Sequence, residues 1–347
     1  MRNNKLLPVK LGGLFADSNL VRLAVIMAAS FVLMASMNPR MYLTVNNFRS
    51  MAFQFPEIGL LAVAVMIAML MGGIDLSVLG IANLSAIMSA YIMIAAKPVV
   101  GGWGAVLIGI LVSLMIGLLC GAFNGFLVAY VGIPAMLATL GAMEIFTGIG
   151  VYVTKGAAVF GLPDEFAYLG SASIGMVPMP LIIFIVVVSV YITVLQRGKF
   201  GLEVYLMGTS RKAAQFTGIL TKRTIVKAHM MGGLLAAIAG IIMSSRTVSA
   251  KADYGSSYTL QAILVAVLGG TNPSGGFGKV TGVIMAILTL QFLSSGFNMM
   301  RADSYFRTFI WGAVLVLTLI INYFGNKLSE KKKINAMKNI QNEEETK

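Results

Sequence analysis

Long apolar stretches without a charged residue alternate with short polar segments along most of the chain. Stretches that lack Asp, Glu, Lys and Arg lie at 23–39, 58–74, 76–96, 98–143, 166–196, 228–245, 254–278, 280–300 and 308–326. A helix needs about 20 apolar residues to cross the roughly 30 Å hydrocarbon core of a bilayer. The stretch 98–143 is too long for one span. Gly-Ile-Pro at 132–134 predicts its interruption, because proline disfavours helix just before it.

The pattern therefore predicts about ten transmembrane helices, the weakest of them at 257–268, where a short helix ends at Gly269-Gly270. Composition supports this interpretation. Of the 347 residues, 58% are hydrophobic and only 11% are charged, against about 25% charged in a soluble domain. Such a chain has too little polar surface for water. We therefore expect an all-α polytopic membrane protein, and composition excludes a disordered chain, a disulfide scaffold and an ordinary cytosolic enzyme.

Basic residues indicate the orientation. Cytoplasmic loops of membrane proteins are enriched in Lys and Arg. With ten spans and a cytoplasmic N-terminus, 18 of the 26 basic residues fall on the cytoplasmic side. An even number of spans places the basic C-terminus there as well. The net charge of +13 is then explained by topology, so we expect no nucleic-acid partner.

The domain organisation follows from the same pattern. We expect a single transmembrane domain over 1–325, with a cytoplasmic segment at about 196–227 that holds seven basic residues and is too long for a simple turn. The segment 326–347 is rich in Lys, Asn and Glu, which predicts a disordered, solvated cytoplasmic tail.

The sequence gives little support for a catalytic site or a metal site. The chain has one cysteine, Cys120, and one histidine, His229, so a cysteine-based zinc site and a multi-histidine cluster are excluded. The stretch 275–280 (GGFGKV) resembles a phosphate-binding loop but lacks its first glycine and the Ser or Thr after Lys. We expect no enzyme, no metal and no cofactor. If the protein works against a gradient, the energy must come from a partner or from an ion gradient.

Ionisable residues inside spans are expensive and therefore candidates for function. Asp75 follows two glycines between apolar runs. It either belongs to a broken helix beside a substrate path or caps the next helix, and the sequence leaves both open. Glu144 either lines the path, pairs with a basic residue or lies near the outer mouth. His229 is interpreted as an interfacial histidine rather than a proton carrier.

Uncharged polar side chains also recur inside the spans. They suit a polyol substrate, which needs hydrogen-bond donors and acceptors, and they serve equally as interhelical contacts. The candidates for the substrate path are Asp75, Asn83, Asn124, Thr139, Glu144, Gln291 and Asn298. Gly117, Gly121 and Gly125 share one helix face, and this spacing predicts close helix packing rather than a ligand site.

Four short motifs occur in an order that is similar to a known family. Residues 72–77 read GGIDLS, 123–125 read FNG, 132–141 read GIPAMLATLG, and 269–278 are glycine-rich. In this order and spacing the chain resembles the inner-membrane permeases of bacterial ABC importers for simple sugars, the ribose, xylose and autoinducer-2 branch. The resemblance covers nearly the whole chain.

The resemblance implies a permease subunit that carries a ribose-like sugar across the bacterial plasma membrane without covalent chemistry. It implies three partners: a cytoplasmic ATP-binding subunit, an extracytoplasmic sugar-binding protein and a second permease subunit, identical or related. In such permeases short cytoplasmic helices dock on the ATPase. The matching candidates here are Gly208, Arg211, Lys212, Ala213, Ala214 and Gly218.

Three alternatives remain open at this point. The substrate of such a permease could be a nucleoside or autoinducer-2 instead of a sugar. A secondary transporter would use Asp75 or Glu144 as its ion site. A membrane-embedded enzyme would need a nucleophile–base pair or a metal cluster, and the sequence provides neither.

Overall fold

The computed structural model of the protein describes residues 18–303, 305–306, 308–316 and 320. The chain divides into two compact units, and the boundary in the sequence lies between Ala302 and Asp303. All elements named below belong to the first unit, and the described residues 305–306, 308–316 and 320 of the second are helical. The predicted tail at 326–347 lies outside the described residues, as does most of the second half of the predicted span 308–326.

Five helices form the first half of the first unit. They are α1 (Ser18–Met37), α2 (Pro39–Tyr42), α3 (Val45–Leu70), α4 (Val78–Phe126), which continues into a π-helical turn (Leu127–Val131), and α5 (Ala135–Thr154). The second half opens with a short 3₁₀ helix (Asp164–Phe166), α6 (Ala167–Ser171) and a hairpin of β1 (Ser173–Ile174) and β2 (Val177–Pro178). It continues with α7 (Met179–Arg197), α8 (Lys199–Thr209), α9 (Arg211–Phe216), α10 (Thr221–Thr247), α11 (Tyr258–Leu268) and α12 (Val280–Met299).

Seven helices within the described residues are long and apolar enough to cross a membrane. They are α1, α3, α4 with its π-helical turn, α5, α7, α10 and α12. The expected class, an all-α polytopic membrane protein, is therefore confirmed. The two-residue strands β1 and β2, which pair antiparallel with Ser173 opposite Pro178, are a small departure from it.

Helix α4 and its π-helical turn run for 54 residues, about 80 Å if straight and far more than one membrane thickness. Gly101 interrupts the helix, with φ 74° and ψ 174°. The Ser89 hydroxyl on the first arm donates to the Gly109 carbonyl on the second at 2.7 Å, so the two arms pack against each other as a hairpin. The predicted interruption at 132–134 is also present, with Gly132 at φ 86° and α5 beginning at Ala135.

The short helix predicted at 257–268 is observed as α11, Tyr258–Leu268, followed by Gly269 and Gly270. Its 11 residues extend about 16 Å, roughly half of the hydrocarbon core. The chain then runs through the glycine-rich segment 269–279 before α12 begins.

Helix α3 is the centre of the first unit. Residues 59–70 of α3 are all buried, because this half of the helix is apolar on every side and other helices surround it. Its first half carries the polar residues Asn46, Asn47, Arg49, Ser50 and Gln54. By contrast, most of the surface of α1, α5 and α7 is exposed on this chain.

The glycine stripe on α4 packs as predicted. A Cβ atom on Gly125 would lie 2.6 Å from the Val226 Cα atom of α10, and Cβ atoms on Gly117 and Gly121 would overlap the α10 backbone at Gly233 and His229. The stripe therefore lets the second arm of α4 and α10 approach at backbone distance.

The predicted cytoplasmic segment 196–227 contains two short helices, α8 and α9, and the first turns of α10 from Thr221 onward. Lys222, Arg223 and Lys227 therefore lie on α10 rather than in a loop. A helix that extends beyond the bilayer tolerates charges on its outer turns, so counting charge-free residues places its start too late.

Candidate functional site

The segment 71–77 between α3 and α4 holds Asp75 inside the protein. Gly72 has φ +83°, a conformation that favours glycine, and it turns the chain away from the end of α3. Asp75 is only 2% exposed. Its Oδ1 atom accepts hydrogen bonds from the Ser77 backbone N–H at 2.9 Å and from the Ser77 hydroxyl at 2.6 Å. Its Oδ2 atom lies 3.2 Å from His229 Nδ1.

Two further predicted residues hold the same segment. The Asn124 Nδ2 atom, from the second arm of α4, donates to the Ser77 hydroxyl at 2.6 Å. The Thr139 hydroxyl on α5 accepts from the Leu76 N–H at 3.1 Å, and the carbonyl oxygens of Ala135 and Ile74 lie 2.8 Å and 3.1 Å from it. We call Asp75, Ser77, Asn124, Thr139 and His229 the Asp75 cluster.

The geometry of the Asp75 cluster fits both interpretations of Asp75, the helix cap and the broken segment. The bond from Ser77 N–H to Asp75 satisfies a donor at the start of α4, as a capping group does. The contact with His229 and the burial of all five side chains also fit a broken segment enclosed by protein.

The interpretation of His229 as an interfacial residue is wrong, because the side chain is 2% exposed and contacts a buried acid. The sequence contained a usable indication. A buried carboxylate needs a partner, and His229 is the only titratable residue in α10 between Lys227 and Arg246.

A cavity of about 380 Å³ lies beside the cluster. Its walls include Gly72 and Gly73 after α3, residues 132–135 before α5, His229, and Arg211 of α9. We call it the inner cavity. The structure thus brings Asp75, Asn124 and Thr139 together, with a residue of the predicted docking segment close to them.

Asn83 and Glu144 lie at a different place, on the wall of a cavity of about 490 Å³. The Asn83 amide donates to the carbonyl oxygens of Ala252 and Tyr254 at 2.9 Å and 3.0 Å, so it holds the connection between α10 and α11. Glu144 is exposed on α5.

Gln291 and Asn298 occupy a third place. They line a cavity of about 260 Å³ between the beginning of α3 and the end of α12, which we call the α3–α12 cavity. A cavity of about 390 Å³, lined by Asn46, Arg49, Ser50, Phe53, Gln54 and Arg246, shares Ser50 and Gln54 with it.

Sequence reasoning missed Glu57 of α3, which is 1% exposed and forms an ion pair with Arg246 at 3.3 Å. Glu57 immediately precedes the charge-free stretch 58–74 and therefore looked like the end of a span. Its burial follows from the central position of α3 in the bundle.

The predicted docking segment packs tightly against the end of α3. A Cβ atom on Gly208 would overlap the Leu70 carbonyl oxygen and the Gly276 nitrogen, and Gly276 N–H donates to Leu70 O at 3.0 Å. The Tyr205 hydroxyl donates to Gly278 O at 2.6 Å. Burial raises the pKa of the Tyr205 phenol, which keeps the donor protonated.

Helix α9 has an inward and an outward side. Ala214 is buried and packs in a cluster with Val128, Met207 and Ile225. Arg211, Lys212 and Ala213 are exposed. Gly218, with φ +83°, ends the turn after α9. Phe216 was not a candidate from sequence, although it is 91% exposed at the end of α9.

The described residues contain no group of three or more His, Cys, Asp or Glu side chains that could hold a metal ion. Cys120 is buried on α4.

Comparison with known proteins identifies the family. The family model described as branched-chain amino acid transport system / permease component matches residues 47–319. The autoinducer 2 import system permease protein LsrD of Klebsiella pneumoniae is 30% identical over 305 residues, which is 86% of this chain and 89% of the relative. LsrD of Photorhabdus temperata is 31% identical over 304 residues, 86% and 89% of the two chains.

The D-allose transport system permease protein AlsC of Escherichia coli K12 is 28% identical over 302 residues, 87% of this chain and 91% of the relative. No solved structure matches the chain. The family match and the order of the sequence motifs agree, and the resemblance to permeases of ABC importers is confirmed. The chain is therefore a multi-pass membrane protein that belongs to the family of branched-chain amino acid transport system permease components, with relatives among the permeases of autoinducer-2 and D-allose import.

Proposed function

We propose that this permease forms the membrane path of an importer for a small sugar and that a separate cytoplasmic ATPase drives it through α8 and α9. The observation that carries the proposal is the position of these helices. On one side, Gly208 packs against Leu70 and Gly276 at backbone distance. On the other, α9 exposes Phe216 and Lys212, and Arg211 is exposed at the mouth of the inner cavity.

These contacts link a partner surface to the interior. Movement of α8 must displace the end of α3 and the segment 71–77, since backbone atoms in contact cannot be compressed. The segment 71–77 carries Asp75 and borders the inner cavity. A conformational change in the ATPase would therefore reach the centre of the permease through a chain of direct contacts, as alternating access requires.

An aromatic side chain that is almost fully exposed suits an interface. Interfaces depend on a few buried aromatic and arginine anchors. Phe216 supplies such an anchor, while Arg211 and Lys212 steer an acidic partner surface. Ala214 faces inward and does not contribute to the docking surface, which leaves Ala213 as the small exposed residue beside Phe216.

The proposed orientation places both termini in the cytoplasm with ten crossings, counting the two arms of α4 separately and α11 as one crossing. In this arrangement the end of α3, the segment 132–134, α8, α9 and the glycine-rich segment 269–279 all lie on the cytoplasmic side. The shared cavity walls and the Gly208 contacts support this common location.

The Asp75–His229 contact argues against the ion-coupled alternative. An ion site needs a carboxylate that can bind and release a cation, whereas both oxygens of Asp75 already have protein partners. Of the two acids that the sequence suggested for that mechanism, Glu144 remains.

Copurification tests the docking surface. We expect Phe216→Ala to abolish copurification of the cognate ATPase while the permease keeps its amount in the membrane, because an exposed side chain contributes little to folding. Phe160→Ala is the matched control, since Phe160 is 69% exposed in the connection after α5. Unchanged ATPase binding by Phe216→Ala would refute the assignment.

Uptake tests the substrate and partners. Vesicles that contain the chain should accumulate a labelled pentose or hexose only with the ATPase, ATP and the extracytoplasmic binding protein. The panel should include nucleosides, autoinducer-2 and L-leucine, and accumulation of one of these instead would correct the proposed substrate class.

A further inference from the structure

The α3–α12 cavity has an unusual lining for a space between two membrane helices. Its polar residues come from both helices and from the turn after α12, and they are Asn47, Ser50, Gln54, Gln291, Ser295, Asn298 and Arg301. Three methionines complete the wall, Met41, Met51 and Met299. Polar side chains of these kinds can bind one another or a ligand.

Part of this lining is held in place by hydrogen bonds. The Ser295 hydroxyl donates to Asn47 Oδ1 at 2.7 Å and connects α12 with α3. Asn47 Nδ2 donates to the Tyr42 carbonyl oxygen at 2.8 Å. Gln54 Nε2 donates to the Ser50 hydroxyl at 2.9 Å. These bonds fix the side chains before any ligand arrives, which is a property of binding sites.

Gln291 differs from the residues around it. The residue is 5% exposed, it lines the cavity, and within the described part of the chain its amide has no hydrogen-bond partner. An amide that served as an interhelical contact would be bonded to the facing helix, as Ser295 is. Because Gln291 lines the cavity, the donor and acceptor of its amide are available to a ligand there.

The lining also selects the chemistry of that ligand. Amides, hydroxyls and the Arg301 guanidinium offer donors together with acceptors, which matches neighbouring hydroxyl groups of a polyol. A zwitterionic amino acid would need an acid for its ammonium group, and the cavity lining contains neither Asp nor Glu.

We infer that the α3–α12 cavity is a sugar-binding subsite formed within one permease subunit, with Gln291 as its specificity-determining residue. The inference rests on the proposed function and deepens it, because it places a first binding position at the end of the bundle opposite the docking helices. It is separate from the Asp75 cluster, which lies after the other end of α3.

Thiol protection measures binding without transport. The full chain in lipid nanodiscs, with Asn298→Cys, should react with a maleimide at the exposed rim of the cavity, while Cys120 stays buried. D-ribose or D-allose should slow the reaction in a concentration-dependent way. Neither sugar should affect a Tyr152→Cys control, placed at an 84% exposed position on α5, and L-leucine should protect neither thiol.

A second substitution connects protection to Gln291. In the Asn298→Cys background, Gln291→Leu should raise the half-protecting sugar concentration about tenfold, the effect of losing one or two hydrogen bonds to a ligand. Gln261→Leu, the same change on α11 outside the cavity, should leave that concentration unchanged.

The outcomes separate this inference from the proposed function. Absence of protection by either sugar up to its solubility limit, equal protection by L-leucine, or an unchanged half-protecting concentration in Gln291→Leu overturns the subsite. Because no ATPase is present, these results do not depend on ATP-driven uptake. Protection without ATP-dependent uptake by the complete importer would uphold the subsite and refute the proposed energy source.

Discussion

Buried polar side chains near the two ends of α3 differ in their hydrogen-bond partners. After its last residue, Asp75 has protein partners for both carboxylate oxygens, and elements from across the chain converge on it. Near its first residues, Gln291 faces a cavity with an amide that has no partner among the described residues. Both positions hold buried polar groups within an apolar bundle. Both carboxylate oxygens of Asp75 are bonded within the protein, which suits a structural role, whereas the Gln291 amide at the cavity wall is available to a ligand.

The two places therefore suit different roles in transport. Gly208 of α8 packs against Leu70 at the end of α3 and against Gly276, and the segment 71–77 that carries Asp75 follows directly, so this end suits the transmission of movement. The α3–α12 cavity lies at the opposite end of α3, so it suits recognition. Substitutions at the first place should therefore affect stability and coupling, and substitutions at the second should affect affinity.

The strongest test of this contrast compares two substitutions by leucine. Asp75→Leu leaves the Ser77 N–H without an acceptor and His229 without a partner, and should cost about 3–5 kcal/mol. Gln291→Leu removes an amide that makes no hydrogen bond within the described part of the chain, so it should not lower the stability. The midpoint of thermal unfolding in detergent measures both. Equal midpoints would contradict the distinction.

Asp75→Asn sharpens the same comparison, because its amide oxygen still accepts from Ser77 while the charge opposite His229 is lost. It should be more stable than Asp75→Leu. If it also retains wild-type uptake, the capping contact alone accounts for Asp75. Loss of uptake at normal membrane abundance assigns a transport role to the contact with His229.

A smaller effect is expected at the contact between α8 and α3. Gly208→Val places side-chain atoms where the Leu70 carbonyl and Gly276 nitrogen lie, and should destabilise by about 1–3 kcal/mol. Uptake should fall more strongly than stability, because the added side chain would push α8 away from the end of α3 and the segment 71–77. Gly148→Val is the matched control on α5, where a Cβ atom would meet nothing within 4 Å. Wild-type uptake in Gly208→Val would refute the transmission route.

Asn83 shares features of both groups, because its Nδ2 atom donates two hydrogen bonds while its Oδ1 atom has no partner among the described residues and the residue lines a cavity. Asn83→Leu removes two donated hydrogen bonds to the Ala252 and Tyr254 carbonyls and should cost about 1–2 kcal/mol. Thr147→Val on the wall of the same cavity should cost less. A loss of sugar affinity without a loss of stability in Asn83→Leu would move it into the recognition class.

The smallest effect is expected at Glu144. It is exposed on α5, so Glu144→Gln should change stability by no more than about 0.5 kcal/mol and leave ATP-driven uptake unchanged. The initial rate of uptake in vesicles checks this. Loss of uptake by this single neutralisation would revive the ion-coupled mechanism.

Local motifs allowed much of the fold to be predicted. The interruption at 132–134, the short helix before Gly269 and the packing of Gly117, Gly121 and Gly125 each depend on neighbouring residues in the sequence. Proline and glycine change the backbone preferences at their own positions. Their effects do not depend on tertiary contacts, so they can be predicted from the sequence.

Contacts between distant residues could not be inferred in the same way. Asp75 and His229 are 154 positions apart, and their meeting depends on the approach of α10 to α4. The seven residues that were predicted to line one substrate path lie at three separate places, because their relative positions also depend on how the helices pack. The inward orientation of Ala214 and the exposure of Phe216 are set by packing on Val128 and Ile225, which the pattern of a six-residue helix does not reveal.

The source of energy is the central claim, and one measurement tests it directly. Labelled sugar uptake should be followed in sealed vesicles that contain the permease, its ATPase and the binding protein, with ionophores that collapse proton and sodium gradients. The account predicts uptake that requires ATP and both partners and continues at the same rate when the gradients are abolished. Uptake that proceeds without ATP and stops with a gradient would contradict it.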